Sequence, residues 1–210
     1  MTPQAALERG LVELALALPS GASEKLLAYL ELLAKWNLTY NLTAIRDPLQ
    51  AVSHHLLDSL VVLRELSDCA GALVDVGSGA GLPGIPIAIA EPTRSITLND
   101  ANEKKGAFMR QAVIELGLSN VTVHVGRVED WRPAAGFAVV ISRGLASLAD
   151  FLACCRHLVA PSGVLAAMKG AYPHDELARV PADCDCHEVR RLKVPLLDAE
   201  RHLVLCRVGA

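Results

Sequence analysis

The sequence has few aromatic residues and no excess of positive charge. Three Phe, two Trp and three Tyr occur among 210 residues, which argues against a protein that binds single strands along rows of stacked bases. The 20 Lys and Arg are balanced by 23 Asp and Glu, for a formal net charge of −3 at pH 7. A uniformly basic protein that coats nucleic acid is therefore not expected, whereas local basic patches remain compatible with this charge.

Long uncharged apolar runs are also missing. No run reaches the roughly 18 residues of a membrane-spanning helix, and the first residues lack the basic region and apolar stretch of a secretory signal. The six cysteines show none of the paired two-residue spacings of zinc sites. We therefore expect buried free thiols, a cytoplasmic location and no metal, with a metal site at Cys184, Cys186 and His187 as the alternative.

Length and hydrophobic pattern predict one α/β domain with an N-terminal helical extension. In residues 1–70, leucines recur every three or four positions, and a third helix is expected from Pro48 to about Leu66. From residue 71 to 210, short apolar runs alternate with helical stretches, which predicts a doubly wound parallel sheet with helices on both faces. We expect seven strands, of which the last two form an antiparallel pair.

A glycine-rich turn is the most informative feature. The segment Asp75-Val76-Gly77-Ser78-Gly79-Ala80-Gly81-Leu82-Pro83-Gly84 follows the first predicted strand and precedes a helix. Glycines allow a sharp turn and a close approach to a ligand, and the free N–H groups at a helix N-terminus favour anionic or strongly polar groups. Asp100 ends the next predicted strand, where a carboxylate can accept hydrogen bonds from ribose hydroxyls. The pattern predicts a nucleotide-like cofactor.

Two cofactors fit this turn. Gly79-x-Gly81-x-x-Gly84 matches the dinucleotide fingerprint, which would indicate a nicotinamide-dependent oxidoreductase. Asp75-x-Gly77-x-Gly79-x-Gly81 instead resembles the first motif of seven-stranded S-adenosylmethionine-dependent methyltransferases. We favour the methyltransferase, because the predicted strand ends directly before Gly77 and the helical extension is short for a catalytic partner domain. S-adenosyl-L-methionine is the expected cofactor.

Further stretches narrow the resemblance. They are Trp36-Asn37-Leu38-Thr39-Tyr40-Asn41-Leu42-Thr43-Ala44-Ile45-Arg46-Asp47-Pro48 with His55-Leu56-Leu57-Asp58-Ser59, Gly81-Leu82-Pro83-Gly84-Ile85-Pro86, and Ile141-Ser142-Arg143-Gly144-Leu145-Ala146-Ser147-Leu148. Over residues 25–207 the chain resembles the bacterial small-subunit ribosomal RNA (guanine-N7)-methyltransferase G family, also called glucose-inhibited division protein B. The resemblance implies methyl transfer from S-adenosylmethionine to N7 of a specific guanosine in 16S ribosomal RNA.

The resemblance also implies which residues bind the cofactor. They are Gly77, Gly79, Gly81, Leu82, Asp100, Val128, Glu129 and Arg143. Gly144-Leu145 replaces the Ala-Phe that commonly follows the arginine, so no aromatic stacking is expected there. Guanine N7 carries a lone pair in the ring plane and loses no proton on methylation. No catalytic base is therefore expected, and the main task of the enzyme is to position the reacting atoms.

Several cations are candidates for contacts with RNA phosphates. They are Lys104, Lys105, Arg110, Arg143 and Lys169. The basic face of the predicted helix that carries the first three can equally be a solvated surface. The expected partner is 16S ribosomal RNA or the small ribosomal subunit, without a membrane, and the protein is expected to be a monomer. A small-molecule or protein acceptor, and a cofactor-binding regulatory module without turnover, remain as alternatives.

Overall fold

The computed structural model describes residues 1–145 and 147–208, and for His187 and Val208 it describes the backbone alone. Ala146, in one of the stretches that carry the resemblance, lies outside the described residues. The helices are α1 (Pro3–Glu13), α2 (Ala22–Tyr40), α3 (Pro48–Ala51), α4 (Asp58–Leu60), α5 (Val62–Glu65), α6 (Gly84–Ala90), α7 (Glu103–Glu115), α8 (Leu148–Cys155) and α9 (His174–Leu177). The strands are β1 (Leu73–Val76), β2 (Ile96–Asp100), β3 (Val121–Val125), β4 (Phe137–Arg143), β5 (Val159–Lys169), β6 (Cys184–Leu192) and β7 (Arg201–Val208).

The strands form one sheet in the order β3-β2-β1-β4-β5-β7-β6. Strands β1 to β5 are parallel, whereas β7 is antiparallel to β5 and β6 is antiparallel to β7. The predicted doubly wound α/β class is therefore confirmed, including the antiparallel pair at the end of the sheet. The strand order reverses between β1 and β4, and ligands of such sheets bind at the carboxyl ends of the strands next to this reversal.

Side chains of the sheet pack into two hydrophobic clusters, one on each face. Leu73 and Val74, neighbours in β1, belong to different clusters because successive side chains of a strand point to opposite faces. The cluster that contains Leu73 also contains Leu7 of α1, Leu26 of α2 and Leu56. The helical extension therefore shares one continuous core with one face of the sheet.

The third helix of the extension is interrupted. A π-helical turn over Val52–Leu57 separates α3 from α4, where the sequence predicts one regular helix. Periodicity cannot reveal this turn, because a single wide turn changes the spacing of the leucines very little. π-Helical turns inside α-helices are frequent at functional sites. Here the carbonyl oxygen of His54 accepts a hydrogen bond from Arg143 Nη1 at 2.9 Å, which ties the turn to the end of β4.

The cysteines differ from the expectation of free thiols. A disulfide joins Cys186 of β6 to Cys206 of β7, so the expectation is wrong for these two residues. The two strands are antiparallel neighbours, and the Cα atoms of Cys186 and Cys206 lie 4.1 Å apart. The separation of 20 residues in the sequence does not by itself predict this proximity. Cys186 is thereby oxidised and is not a metal ligand here, and the side chain of His187 lies outside the described residues.

Candidate functional site

The glycine turn after β1 has the conformation that its glycines predict. Gly77, Gly79 and Gly81 have φ of 68°, 60° and 82°, a region that residues with a side chain rarely adopt. Inside the turn, Ser78 Oγ donates a hydrogen bond to the carbonyl oxygen of Asp75 at 2.8 Å. The strand ends one residue before Gly77, which is where the methyltransferase motif places the start of the turn.

Asp100 joins the end of β2 to this turn. Its Oδ2 accepts a hydrogen bond from the Gly79 N–H at 3.0 Å, and its Oδ1 accepts one from the Asn102 N–H at 2.9 Å. Lys105 Nζ of α7 lies 3.4 Å from Oδ2. The carboxylate is buried, and both of its oxygens are held by neighbours, so its position is fixed before any ligand binds.

A cleft of about 710 Å³, called the first cleft, lies at the carboxyl ends of β1, β2 and β4. Four of the expected cofactor residues, Gly77, Asp100, Val128 and Glu129, line it together. Val128 and Glu129 lie in a 3₁₀ turn after β3. The lining also includes residues without an earlier assignment to the site, among them Arg127, Leu145, Asp150 and Cys154.

Gly79, Gly81 and Leu82 are not part of this lining. A Cβ atom on Gly81 would lie 2.3 Å from Ile85 Cδ1, so this glycine permits the packing of the turn onto α6. Around Gly79 there is space, because a Cβ atom would meet only the Gly77 carbonyl oxygen, at 3.9 Å. These residues shape the turn, whereas Gly77 faces the cleft.

Asp75, directly beneath the turn, is a buried acid with one unpartnered oxygen. Its Oδ2 accepts a hydrogen bond from the Gly84 N–H at 2.8 Å, but Oδ1 has no partner among the described residues. Burial raises the pKa of this carboxyl to about 7, against the smaller lowering by the Gly84 N–H and by Arg143. The sequence places Asp75 in the motif but does not show that the pKa of its carboxyl group is raised to near neutral pH.

A second cleft, of about 400 Å³, adjoins the first at Gly144. It lies between the π-helical turn and the ends of β4, β5 and β7, and its lining includes Ile45, His55, Asp58, Arg143, Lys169 and Arg201. The structure thus places Arg143, expected at the cofactor, in the lining of this neighbouring cleft. Arg201, at the start of β7, carries no motif signal, so the sequence does not indicate it as a site residue.

Asp58 lies between two arginines on the wall of the second cleft. Its Oδ2 accepts a hydrogen bond from Arg143 Nη1 at 2.9 Å, and its Oδ1 accepts one from Arg201 Nε at 2.7 Å. The Asp58 side chain is 3% exposed, whereas those of Arg143 and Arg201 are 24% and 22% exposed. We call these three residues the arginine–carboxylate cluster. The helical extension supplies the acid, and the sheet supplies both cations.

His55 is buried beside this cluster. Its Nε2 lies 3.0 Å from Thr43 Oγ1, whereas Nδ1 has no partner among the described residues. Burial, together with the positive charge of Arg143, lowers the pKa of the ring to about 4. The imidazole is therefore neutral at physiological pH and adds no charge to the second cleft.

The expected RNA-binding cations of α7 lie near the first cleft. Lys105 lines that cleft and faces Asp100, so it is adjacent to the expected ribose site. Lys104 and Arg110 lie on the exposed part of the helix, with Arg110 Nη1 3.9 Å from Glu103 Oε2. Lys105 therefore lies in the first cleft, whereas Lys104 and Arg110 face solvent. The spacing of these residues along the helix does not show this difference.

Lys169 lines the second cleft at the end of β5. Its Nζ lies 2.7 Å from Glu176 Oε2, and the same carboxylate accepts a hydrogen bond from the Leu148 N–H. An RNA phosphate at Lys169 would therefore compete with an internal carboxylate. Lys169 contributes less positive charge to the cleft than its position in the sequence suggests.

Sequence comparisons connect this chain with ribosomal RNA methyltransferases. The profile of a family described as rRNA small subunit methyltransferase G matches residues 22–204. A Ribosomal RNA small subunit methyltransferase G of Laribacter hongkongensis is 51% identical over 198 residues, covering 94% of this chain and 95% of the relative. The protein of the same name from Burkholderia pseudomallei is 50% identical over 209 residues, covering 97% of this chain and 90% of the relative.

Solved structures with the same fold are more distant in sequence, and they show the fold alone. The glycopeptide N-methyltransferase MtfA has a TM-score of 0.62 at 12% identity, covering 73% of this chain and 96% of that chain. TrmN from Thermus thermophilus has a TM-score of 0.56 at 17% identity, covering 75% of this chain and 53% of that chain. The oxidoreductase alternative is not favoured by any of these comparisons. With a profile match over residues 22–204 and relatives about half identical over nearly the whole length, this chain belongs to the rRNA small subunit methyltransferase G family.

Proposed function

We propose that this protein transfers a methyl group from S-adenosyl-L-methionine to N7 of a guanosine in 16S ribosomal RNA. The observation that carries the proposal is the pair of clefts joined at Gly144, one beside the glycine turn and one beside the arginine–carboxylate cluster. A bisubstrate enzyme needs two such sites whose contents can meet. Among the described residues, none of the helices combines the length and apolarity needed to cross a membrane. We place the protein in the cytoplasm, where it would meet ribosomal RNA.

The residues of the first cleft fit S-adenosylmethionine. The lining contains the carboxylates of Asp100, Glu129 and Asp150 against two cations, Lys105 and Arg127, which suits a ligand with a positively charged sulfonium. Asp100 would accept hydrogen bonds from the ribose hydroxyls, and the 3₁₀ turn with Glu129 would hold the adenine edge. The bound cofactor supplies a methyl group activated on its sulfonium.

The chain itself contributes positioning. The acceptor guanine would occupy the second cleft, with N7 directed past Gly144 toward the first cleft. A Cβ atom on Gly144 would meet nothing within 4 Å, so there is free space beside the residue that both clefts share. Because N7 attacks with a lone pair and releases no proton, no side chain has to act as a base. Holding the two reacting groups at near-attack distance supplies the rate enhancement.

Labelled methyl transfer tests this proposal. The protein should transfer labelled methyl from S-adenosylmethionine to small ribosomal subunits, or to naked 16S RNA, prepared from cells that lack this protein. Digestion of the labelled RNA should give 7-methylguanosine. Asp100→Ala should weaken binding of S-adenosylhomocysteine by about ten- to a hundred-fold, because charge-assisted hydrogen bonds are lost. Calorimetry with NADH should show no binding. Label in a small molecule or a protein, and none in RNA, would overturn the proposal.

A further inference from the structure

The arginine–carboxylate cluster keeps an excess of positive charge. Asp58 carries one negative charge and accepts hydrogen bonds from two guanidinium groups, so the cluster has a formal charge of +1. His55, packed against it, is neutral, and Lys169 is offset by Glu176. A partly buried cleft wall with an uncompensated cation favours an anionic ligand, because charges there are less screened than at an open surface.

Donors of both guanidinium groups remain for such a ligand. Arg143 uses Nη1 for Asp58 and for the His54 carbonyl oxygen. Arg201 uses Nε for Asp58 and Nη1 for the Glu200 carbonyl oxygen. Within the described part of the chain, the Nη2 groups of both arginines have no hydrogen-bond acceptor. Both side chains line the second cleft and are about a quarter exposed, at 24% and 22%.

The chemistry of the acceptor excludes the usual target of arginine on guanine. Arginine recognises guanine by a fork on O6 and N7, but N7 must keep its lone pair free to accept the methyl group. Arginine also binds phosphate oxygens with the same planar fork. We propose that Asp58 is a positioning residue that holds Arg143 and Arg201 as a receptor for a phosphodiester of the acceptor nucleotide. This inference rests on the proposed function.

The anion could also be the carboxylate of the cofactor. The position of Arg201 favours the phosphodiester, because Arg201 lines the second cleft and not the first. Arg143 precedes Gly144, which both clefts share, so Arg143 alone does not separate the two sources. Arg201 is therefore the residue whose replacement distinguishes them.

Three variants test the receptor: Arg201→Gln, Asp58→Asn and the control Glu65→Gln. The control breaks another ion pair between the helical extension and the sheet, since Glu65 Oε2 lies 2.8 Å from Arg190 Nη1 and neither residue lines either cleft. Each variant is titrated with 16S RNA over a salt series, and with S-adenosylhomocysteine by calorimetry. Thermal unfolding and steady-state methyl transfer to small ribosomal subunits complete the set.

Arg201→Gln should raise the KM for the subunit at least about tenfold, because a charge-assisted contact to phosphate is lost. Since the contact exists in both ground and transition states, kcat should change little. The salt slope of RNA binding should become shallower by about 0.7, as for one phosphate contact with a single strand. The affinity for S-adenosylhomocysteine should stay within about twofold.

Asp58→Asn separates positioning from simple charge. Removing a carboxylate raises the charge of the cluster to +2, which by itself would strengthen RNA binding. The positioning role predicts the opposite, because the amide nitrogen donates where Asp58 accepts, and one arginine is released. We expect the KM for the subunit to rise by a factor similar to that of Arg201→Gln, while Glu65→Gln leaves KM and the salt slope unchanged.

Several results would overturn the inference. One is an unchanged KM and salt slope in Arg201→Gln, and another is tighter RNA binding with full kcat in Asp58→Asn. A loss of S-adenosylhomocysteine affinity in Arg201→Gln, without a loss of RNA affinity, would assign the receptor to the cofactor carboxylate. If the wild-type protein transfers no methyl group to RNA, the proposed function fails. The RNA titrations still decide on the receptor in that case, because they need no turnover.

Discussion

One side chain of the helical extension, that of Tyr29, contacts the glycine turn directly. Tyr29 of α2 is fully buried, and its hydroxyl donates a hydrogen bond to the Ala80 carbonyl oxygen at 2.7 Å. Burial raises the pKa of this phenol well above its usual range, so it is a neutral donor at physiological pH. The sequence places Tyr29 in a helix but does not show this contact over 51 positions.

Replacing this tyrosine should loosen the turn without emptying the core. Tyr29→Phe leaves the Ala80 carbonyl oxygen buried without its donor, at a cost of about 1–3 kcal/mol in the free energy of unfolding. Affinity for S-adenosylhomocysteine should fall several-fold, because the turn is less well held. Denaturant unfolding and calorimetry measure the two effects. Tyr40→Phe, at an exposed position of the same helix, is the control and should change neither quantity.

Asp75 should make stability depend on pH. Its pKa is about 7 in the folded protein and near 3.8 when exposed, so the folded state binds the proton more tightly. The contribution of Asp75 to the free energy of unfolding is therefore fully present below pH 3.8. It is lost as the pH rises toward 7, by about 1.4 kcal/mol per pH unit at most. Asp75→Asn should remove this decline, and Asp68→Asn, at an exposed position, should not. Parallel pH profiles for Asp75→Asn and wild type would refute the assignment.

At the scale of elements, the sequence predicts most of the architecture and less of the site. The apolar runs predict a helix over Gly84–Ala90 and a strand over Val121–Val125, and α6 and β3 have these bounds. The bounds are predictable because both runs end at residues that favour turns. The π-helical turn was not predicted, since it alters hydrogen bonding without altering the hydrophobic pattern. Arg201 was not predicted as a site residue either, because its proximity to Asp58 depends on the antiparallel position of β7.

Helix α7 offers a test of RNA binding that spares the cofactor. Because Lys105 faces Asp100 in the first cleft, a double replacement of Lys104 and Lys105 would affect both ligands. Lys104→Ala alone should make the salt slope of RNA binding shallower by about 0.7, if Lys104 contacts one phosphate. Affinity for S-adenosylhomocysteine should not change. Lys25→Ala, exposed on α2, is the matched control, and equal slopes in both variants would identify the α7 face as merely solvated.

For the molecule as a whole, the shared core predicts cooperative unfolding. The chain has two tryptophans, Trp36 in the helical extension and Trp131 after β3. Because the extension and one face of the sheet form a single hydrophobic cluster, both segments should unfold in one transition. Trp36→Phe retains only Trp131, and Trp131→Phe retains only Trp36. In each variant, the unfolding transition measured by tryptophan fluorescence should coincide with the transition measured by circular dichroism. An earlier transition seen by Trp36 alone would show that the extension unfolds independently.

The contact of Asp58 with Arg143 and Arg201 limits how this enzyme can be recombined. A chimera that joins residues 1–70 of a distant relative to residues 71–210 of this chain inherits the acid from one parent and the cations from the other. Such a graft must also reproduce the leucine packing beneath the π-helical turn, since a small shift there moves the acid away from its partners. The helical extension is therefore not an interchangeable module, because a substitution of the acid on one side of residue 70 has to be matched by substitutions of its partners on the other side.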